Sequence, residues 1–139
     1  MRVFLDANIL FSAAKSDGAV RQLLTRLASD GHQCMADTYV LAEARRNLLT
    51  KETAAMSALD ALLQRIPIHP VPSRSAPISE ISWLPDTDQP VLAAAIRLRC
   101  NVLLTGDRTH FGKGYGQTFG GVTVHSQCWA HSAAPPHPA

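Results

Sequence analysis

The sequence predicts one α/β domain in which helices cover both faces of a mostly parallel sheet. Short apolar segments of strand length alternate along the chain with longer segments whose apolar residues recur at helical spacing. This alternation is typical of three-layer α/β/α sandwiches, because parallel strands need crossover connections between them. The chain has 139 residues, 46% of them hydrophobic and 17% charged, which suits a single globular core. We expect a central sheet of about four to five strands.

The first half of the chain predicts two strands and four helices. In order, these are a strand at 2–5, helices at 8–15 and 18–30, a strand at 33–36, and helices at 38–49 and 52–65. Both strands are short apolar runs, and each is followed directly by an aspartate. Leu23 and Leu27 lie on one apolar face, and Gly31 ends their helix. The apolar face of 52–65 is predicted to join the core or, alternatively, to form a subunit or partner interface.

The second half of the chain predicts three more strands and one more helix. In order, the segments are an edge strand at 66–71, a loop or broken helix at 72–85, a helix at 91–99, a strand at 101–105, a glycine-rich loop at 112–121 and a strand at 122–125. Two prolines place the segment 66–71 at a sheet edge, since proline has no N–H to donate to a neighbouring strand. The domain is predicted to cover residues 1–128, with a flexible tail at 129–139.

The composition excludes several classes of protein. The formal net charge is only +2, so a strongly basic nucleic-acid binder is excluded, and any phosphate contact must come from a local patch or a metal. Cys34, Cys100 and Cys128 show no Cys-x-x-Cys spacing, so neither a zinc knuckle nor a disulfide framework is indicated. No apolar run reaches about 18 residues and no secretory signal is recognised, so we expect a cytoplasmic protein without a membrane partner.

Four acidic residues occupy positions that the predicted fold brings together. Asp6 and Asp107 each follow a predicted buried strand. Because the carboxyl ends of parallel strands meet at one edge of a sheet, we expect these two carboxylates to lie in the same crevice. Asp88 opens the helix before the second of these strands, and Glu43 lies at the margin of the apolar face of the third helix.

Each of these acids also has a simpler interpretation when it is considered alone. Asp6 and Asp88 stand where helix N-caps are expected, Asp107 suits a turn, and Glu43 suits a solvated helix surface. Their joint placement favours a site. Clustered carboxylates repel one another, and a hard divalent cation such as Mg²⁺ or Mn²⁺, which prefers oxygen ligands, offsets that repulsion. A site of this kind is typical of phosphodiester hydrolysis.

Three sequence segments occur in an order that is found in one protein family. They are VFLDANIL at 3–10, LAEAR at 41–45, and DTDQPVLAAA at 86–95 followed by NVLLTGDR at 101–108. With these segments the chain resembles the PIN domain, a small metal-dependent ribonuclease fold that includes the VapC-type toxins of bacterial toxin–antitoxin pairs. Each segment is a weak indicator alone, whereas the ordered set, which spans residues 1–111, is specific.

The resemblance implies roles for particular residues and partners. The implied catalytic and metal-binding residues are Asp6, Glu43, Asp88 and Asp107, and the residues that orient them are Asn8 and Thr105. The resemblance further implies Mg²⁺ or Mn²⁺ as the cofactor and RNA as the substrate. It also implies a separately encoded antitoxin as a protein partner, and a homodimer.

Several positions are less clearly assigned by the resemblance. Many PIN domains carry another aspartate three residues after the last of these acids, where this chain has His110. His110 is expected either to contact a substrate phosphate or to be a structural loop residue. Arg45, Arg46 and Arg108 are expected either to hold RNA phosphates or to be solvated surface charges. Asp86 does not fit the family spacing and is expected to cap the next helix or to hold an outer water.

The sequence leaves two main functions open. The first is a metal-dependent endoribonuclease that acts as a toxin. The alternative is a PIN-fold module that binds RNA or a protein with little or no nuclease activity. An aspartyl-phosphate phosphatase ranks last, because that chemistry needs a second aspartate two residues after the nucleophile, and Asn8 occupies this position.

Overall fold

The fold is seen in a computed structural model that describes residues 1–73 and 76–129. The described part contains six helices and six strands. The first elements are β1 (Arg2–Leu5), α1 (Ala7–Lys15), α2 (Ala19–Ser29), β2 (Gln33–Asp37), α3 (Thr38–Lys51), α4 (Met56–Leu63) and β3 (Ile68–His69). They are followed by α5 (Gln89–Arg97), β4 (Val102–Leu104), α6 (Arg108–Phe111), β5 (Thr118–Phe119) and β6 (Val122–His125). Apart from its first residue, the tail predicted at 129–139 lies outside the described residues.

The strands form one mostly parallel sheet in the order β3-β2-β1-β4-β6-β5. Only the pair β5–β6 is antiparallel. The predicted α/β class, with helices flanking a mostly parallel sheet, is therefore confirmed. Of the helices in the described ranges, none has both the length and the apolar character that a membrane span requires.

The predicted strand number was too low, because the sheet has six strands. The additional strand, β5, lies in the segment 112–121, which was predicted to be a loop. Gly120 and Gly121 both adopt positive φ, at 54° and 85°, and form a two-residue hairpin between Phe119 and Val122. Consecutive positive φ values are typical of the type I′ turn that matches the twist of paired strands. A two-residue strand has no periodicity to detect, so the glycine pair was its only indication in the sequence.

Two helix predictions need correction, and one helix was missed. The segment predicted as a helix at 52–65 begins with a 3₁₀ turn at Thr53–Ala55 before α4 starts at Met56. Helix α5 begins and ends two residues earlier than predicted, and Arg99 follows it with a positive φ of 56°. Helix α6 was not predicted, because a four-residue helix is too short to show an apolar face.

The chain path places a topological switch point between β1 and β4. From β1 the chain runs to β2 and β3 on one side, and it later returns to β4 on the other side of β1. At such a point the connections leave in opposite directions, and a crevice opens at the carboxyl ends of the strands. Leu5 pairs with Leu104, so the residues that follow the two strands enter this crevice side by side.

The sheet is the centre of the hydrophobic core. Val3, Phe4 and Leu5 are successive residues of β1, and all three are fully buried. Successive side chains of a strand point to opposite faces, so both faces of β1 must be covered. Leu103 in β4 is also fully buried and pairs with Phe4. These contacts fix the position of the crevice relative to the rest of the domain.

We predict that Leu103→Ala lowers the free energy of unfolding by about 2–5 kcal/mol, because it opens a cavity in the central sheet. Val71→Ala is the matched control, because this valine is 44% exposed, and it should change stability by less than about 1 kcal/mol. Urea denaturation of both variants measures the difference. Equal losses would contradict the assignment of β4 to the core.

Candidate metal centre

An acidic cavity of about 260 Å³ opens at the switch point between β1 and β4. All four acids singled out in the sequence line it. The complete lining is Asp6, Ala7, Asn8, Glu43, Asn47, Asp88, Gly106 and Asp107. A larger cavity of about 350 Å³ lies beside β2 and α4, but its lining contains no carboxylate. The acidic cavity is therefore the candidate metal centre.

Asp6 is both a helix cap and a wall of this cavity. Its Oδ1 accepts a hydrogen bond of 2.7 Å from the backbone N–H of Ala7 at the start of α1. Its Oδ2 accepts from the hydroxyl of Thr105 at 2.8 Å and from the side-chain amide of Asn8 at 3.2 Å. Capping of α1 by Oδ1 is therefore compatible with the place of Asp6 in the cavity lining.

Asn8 joins the residues that follow β1 to the turn that follows β4. Its amide nitrogen donates to Asp6 and, at 3.3 Å, to the hydroxyl oxygen of Thr105. Its carbonyl oxygen accepts a hydrogen bond of 2.7 Å from the backbone N–H of Gly106. Thr105 is fully buried, and its hydroxyl oxygen also accepts from the backbone N–H of Asp107 at 3.2 Å. Asn8 and Thr105 therefore link the Asp6 carboxylate to the turn that leads to Asp107.

Burial of Asp6 carries an electrostatic cost in the absence of a cation. Burial raises the pKa of this carboxyl from 3.8 to about 6. The hydrogen bonds from Thr105 and Ala7 oppose this rise, whereas the negative charges of Glu43 and Asp88 add to it. A bound cation would remove that cost by favouring the carboxylate form.

Asp88 stands at the N-cap position of α5 but does not cap the helix, because its side chain makes no capping hydrogen bond. Its Oδ2 lies 2.8 Å from Nδ1 of His110, and Oδ2 of Asp107 lies 3.0 Å from the same nitrogen. The other oxygen of Asp107 caps α6 by accepting from the backbone N–H of His110 at 3.2 Å. The interpretation of Asp88 as a simple cap is therefore not supported.

The residues of the cavity fit a divalent cation. Ligand atoms of Asp88, Asp107 and His110 all lie within 4.8 Å of one another. Oδ2 of Asp88 is buried, and Nδ1 of His110 at 2.8 Å is its close donor, which it shares with Oδ2 of Asp107. A buried carboxylate oxygen that shares one donor with a second carboxylate is costly unless a cation is present. Burial also raises the pKa of Asp88, and the neighbouring charge of Asp107 adds to the rise, while His110 opposes it.

Some predicted site residues lie outside the cavity lining. Asp86 is exposed, and Asp88 rather than Asp86 holds the N-cap position of α5, so the predicted capping role was wrong. Within the described ranges, none of the three candidate arginines lines the cavity. Arg45 instead lies 3.9 Å from Asp60 on α4. Arg46 lies near Tyr39. Burial raises the pKa of the Tyr39 phenol overall, and the positive charge of Arg46 partly opposes this rise.

Two residues near the cavity were not assigned to the site from the sequence. Asn47 lines the acidic cavity. The sequence indicated this only through the spacing of four residues between Glu43 and Asn47, which places both on one face of α3. Tyr39 donates from its hydroxyl to the carbonyl of Thr87 at 2.6 Å, so it ties α3 to the loop before α5. That contact joins residues 48 positions apart, and no local pattern indicates it.

We predict that the metal-free protein loses stability as the pH rises from about 4 to about 6, because the buried Asp6 carboxyl must then lose its proton. Because its folded pKa is raised, the folded state holds the proton more tightly, so deprotonation costs about 3 kcal/mol as the pH rises through this window. Asp6→Asn should remove this part of the pH profile. Chemical denaturation with a chelator present measures it, with the exposed Asp86→Asn as the control. Identical profiles for wild type and Asp6→Asn would contradict the prediction.

Comparison with known proteins places the chain in a family. A model described as PIN domain matches residues 2–109. A chain of VapBC2 from Rickettsia felis, crystallised with a DNA fragment from the VapBC2 promoter, has a TM-score of 0.64 at 18% identity over 91% of this chain and 98% of that chain. A chain of VapBC-1 from nontypeable Haemophilus influenzae has a TM-score of 0.58 at 15% identity over the same shares. No curated protein sequence matches. Because the family match covers most of the chain, this protein belongs to the PIN domain family.

Proposed function

We propose that this PIN domain is an endoribonuclease that uses Mg²⁺ or Mn²⁺ to hydrolyse RNA phosphodiester bonds in the acidic cavity. The observation that carries the proposal is the meeting of Asp6, Glu43, Asp88 and Asp107 around one cavity at the switch point of the sheet. Acids that come from four separate parts of the chain are costly to hold together. A bound divalent cation would offset the repulsion between these carboxylates and use their oxygens as ligands.

The proposed roles follow from where each side chain lies. Asp6, Asp88, Asp107 and Glu43 would hold the metal through their carboxylate oxygens. When bound, a divalent metal activates a water molecule and stabilises the charge on phosphate oxygens. Asn8 and Thr105 keep the Asp6 carboxylate in a fixed orientation through the hydrogen bonds described above.

The cavity leaves room for a substrate phosphate beside the acids. Its volume of about 260 Å³ exceeds what a hydrated ion alone requires, since one water takes up about 30 Å³ of liquid. The residues that line the cavity include no cationic side chain, so a bound metal would be the main attraction for the phosphate. Arg46 and Arg108 remain proposed contacts for flanking phosphates, outside the cavity lining.

We further propose that the chain is the toxin of a toxin–antitoxin pair, that it acts in the cytoplasm, and that it forms a homodimer. Similarity to chains of two VapBC structures supports the antitoxin partner. Helix α4 offers a surface for such contacts, because Met56, Leu62 and Leu63 pack on the core while remaining partly exposed. Leu49 on α3 is 58% exposed and is a second candidate position for such contacts.

We predict that the purified chain, freed of any partner, cleaves RNA with Mn²⁺ or Mg²⁺ and stops when the metal is chelated. Asp6→Asn should lower the rate by about 100-fold or more, because it removes a negatively charged ligand. Asp86→Asn is the matched control, since this aspartate is exposed and outside the cavity lining, and it should retain the wild-type rate. Gel analysis of a labelled RNA pool measures the rates.

The outcomes separate the two functions that the sequence left open. Cleavage by wild type and by Asp86→Asn, but not by folded Asp6→Asn, supports the nuclease. Retention of RNA without cleavage would contradict the nuclease and favour the binding module. Equal cleavage by wild type and Asp6→Asn would point to a contaminating enzyme and would also contradict the proposal.

We predict that the purified chain has twice the monomer mass in light scattering. Leu49→Glu should shift it towards the monomer if the surface of α3 and α4 forms the dimer, because a charge would be buried there. Arg26→Glu is a control with a new acid on the exposed part of α2. A monomeric wild type at high concentration would contradict the homodimer.

A further inference from the structure

His110 lies where two carboxylates of the cavity meet. Helix α6 places it one turn after Asp107, and the loop before α5 brings Asp88 to the same ring nitrogen. Its Nδ1 is 2.8 Å from Oδ2 of Asp88 and 3.0 Å from Oδ2 of Asp107. The side chain is 44% exposed, so part of it reaches solvent although Nδ1 faces the acids.

These two distances are short enough for the three groups to share one cation. Neighbouring ligand atoms around a hard divalent ion with metal–ligand bonds of about 2.1 Å stand about 3 Å apart. The contacts of Nδ1 with Oδ2 of Asp88 and of Asp107 are of this length, at 2.8 and 3.0 Å, and all three ligand atoms lie within 4.8 Å of one another.

A hydrogen bond also fits such distances, but it does not account for both contacts. Nδ1 of an imidazole carries at most one proton, and this proton cannot be well aligned with two acceptors at once. Oδ2 of Asp88 and Oδ2 of Asp107 therefore compete for the same donor. A cation between the three groups would give both carboxylates and the nitrogen a common partner.

The chemistry of this donor set distinguishes between metals. Mg²⁺ strongly prefers oxygen ligands, whereas an imidazole nitrogen suits first-row transition ions. Mn²⁺ accepts carboxylates as Mg²⁺ does, but as a first-row transition ion it tolerates a nitrogen ligand better than Mg²⁺ does, so a set of one nitrogen and two carboxylate oxygens favours Mn²⁺ of the two.

We propose that His110 is a metal ligand through Nδ1, together with Asp88 and Asp107, and that it makes the cavity bind Mn²⁺ in preference to Mg²⁺. The inference rests on the proposed metal-dependent function and states which ion the cavity selects. It assigns His110 to the metal, rather than to a substrate phosphate or to a purely structural role.

Electron spin echo spectroscopy of Mn²⁺ bound to the full chain tests this assignment directly. A coordinated imidazole produces a ¹⁴N modulation that carboxylate and water ligands do not produce. We expect this modulation in the wild type, its loss in His110→Asp and His110→Gln, and its retention in His69→Asp. His69 is the matched control because it lies on β3 and lines the other cavity.

Competition between the ions tests the selectivity. Mg²⁺ is titrated against bound Mn²⁺ at a fixed pH, and free Mn²⁺ is read from its electron paramagnetic resonance signal. We expect the preference of the wild type for Mn²⁺ over Mg²⁺ to fall by about tenfold in His110→Asp and to persist in His69→Asp.

The possible failures are distinguishable. If Mn²⁺ binds, is lost in Asp88→Asn and shows no ¹⁴N modulation, the assignment of His110 is overturned while the proposed function stands. Modulation that survives in both His110 variants, or an unchanged preference in His110→Asp, also overturns the inference. If the wild type binds no Mn²⁺ at all, both the inference and the proposed metal-dependent nuclease are overturned.

Discussion

The hydrogen bond from the Thr105 hydroxyl to the Asp6 carboxylate connects the ends of β1 and β4, and the candidate metal centre depends on this connection. The parallel ladder brings the two strand ends together, and the backbone N–H of Asp6 continues it by donating to the carbonyl of Leu104 at 3.0 Å. Asn8 then joins both sides through its amide. Asp6 and the turn that leads to Asp107 are therefore held together by backbone pairing as well as by side-chain contacts.

The same connection holds the Asp6 carboxylate in a buried position that is electrostatically unfavourable when no cation is bound. Asp6 is only 4% exposed, and its pKa of about 6 reflects a carboxylate that is poorly solvated and lies near other acids. Hydrogen bonds from Thr105 and Ala7 recover only part of the lost hydration. A cation that binds the folded chain but not the unfolded chain would stabilise the folded state by mass action. Metal affinity and fold stability are therefore linked. A site that opposes folding in this way is expected where function rather than stability has determined the residues.

Much of the fold follows from local patterns in the sequence. The strand at 2–5 was predicted with the bounds that the structure has, since a buried parallel strand is a short apolar run that ends at a polar residue. The proximity of Asp6 and Asp107 follows from the same pattern, because each residue follows a buried parallel strand and the carboxyl ends of such strands meet at one edge of the sheet.

The position of His110 cannot be inferred from strand patterns. Its contact with Asp88 depends on how α5 and α6 approach each other, and Arg45 faces Asp60 because of where α4 packs. Such contacts between elements leave no periodic pattern in the chain.

An anomalous difference map from a crystal of the chain grown with Mn²⁺ tests the central claim most directly. The claim is that the switch point between β1 and β4 is built to hold a divalent cation. The account predicts a strong peak within the acidic cavity, bonded to carboxylate oxygens of Asp6, Asp88 or Asp107. An empty cavity at saturating Mn²⁺, or an ion bound only elsewhere on the surface, would contradict it.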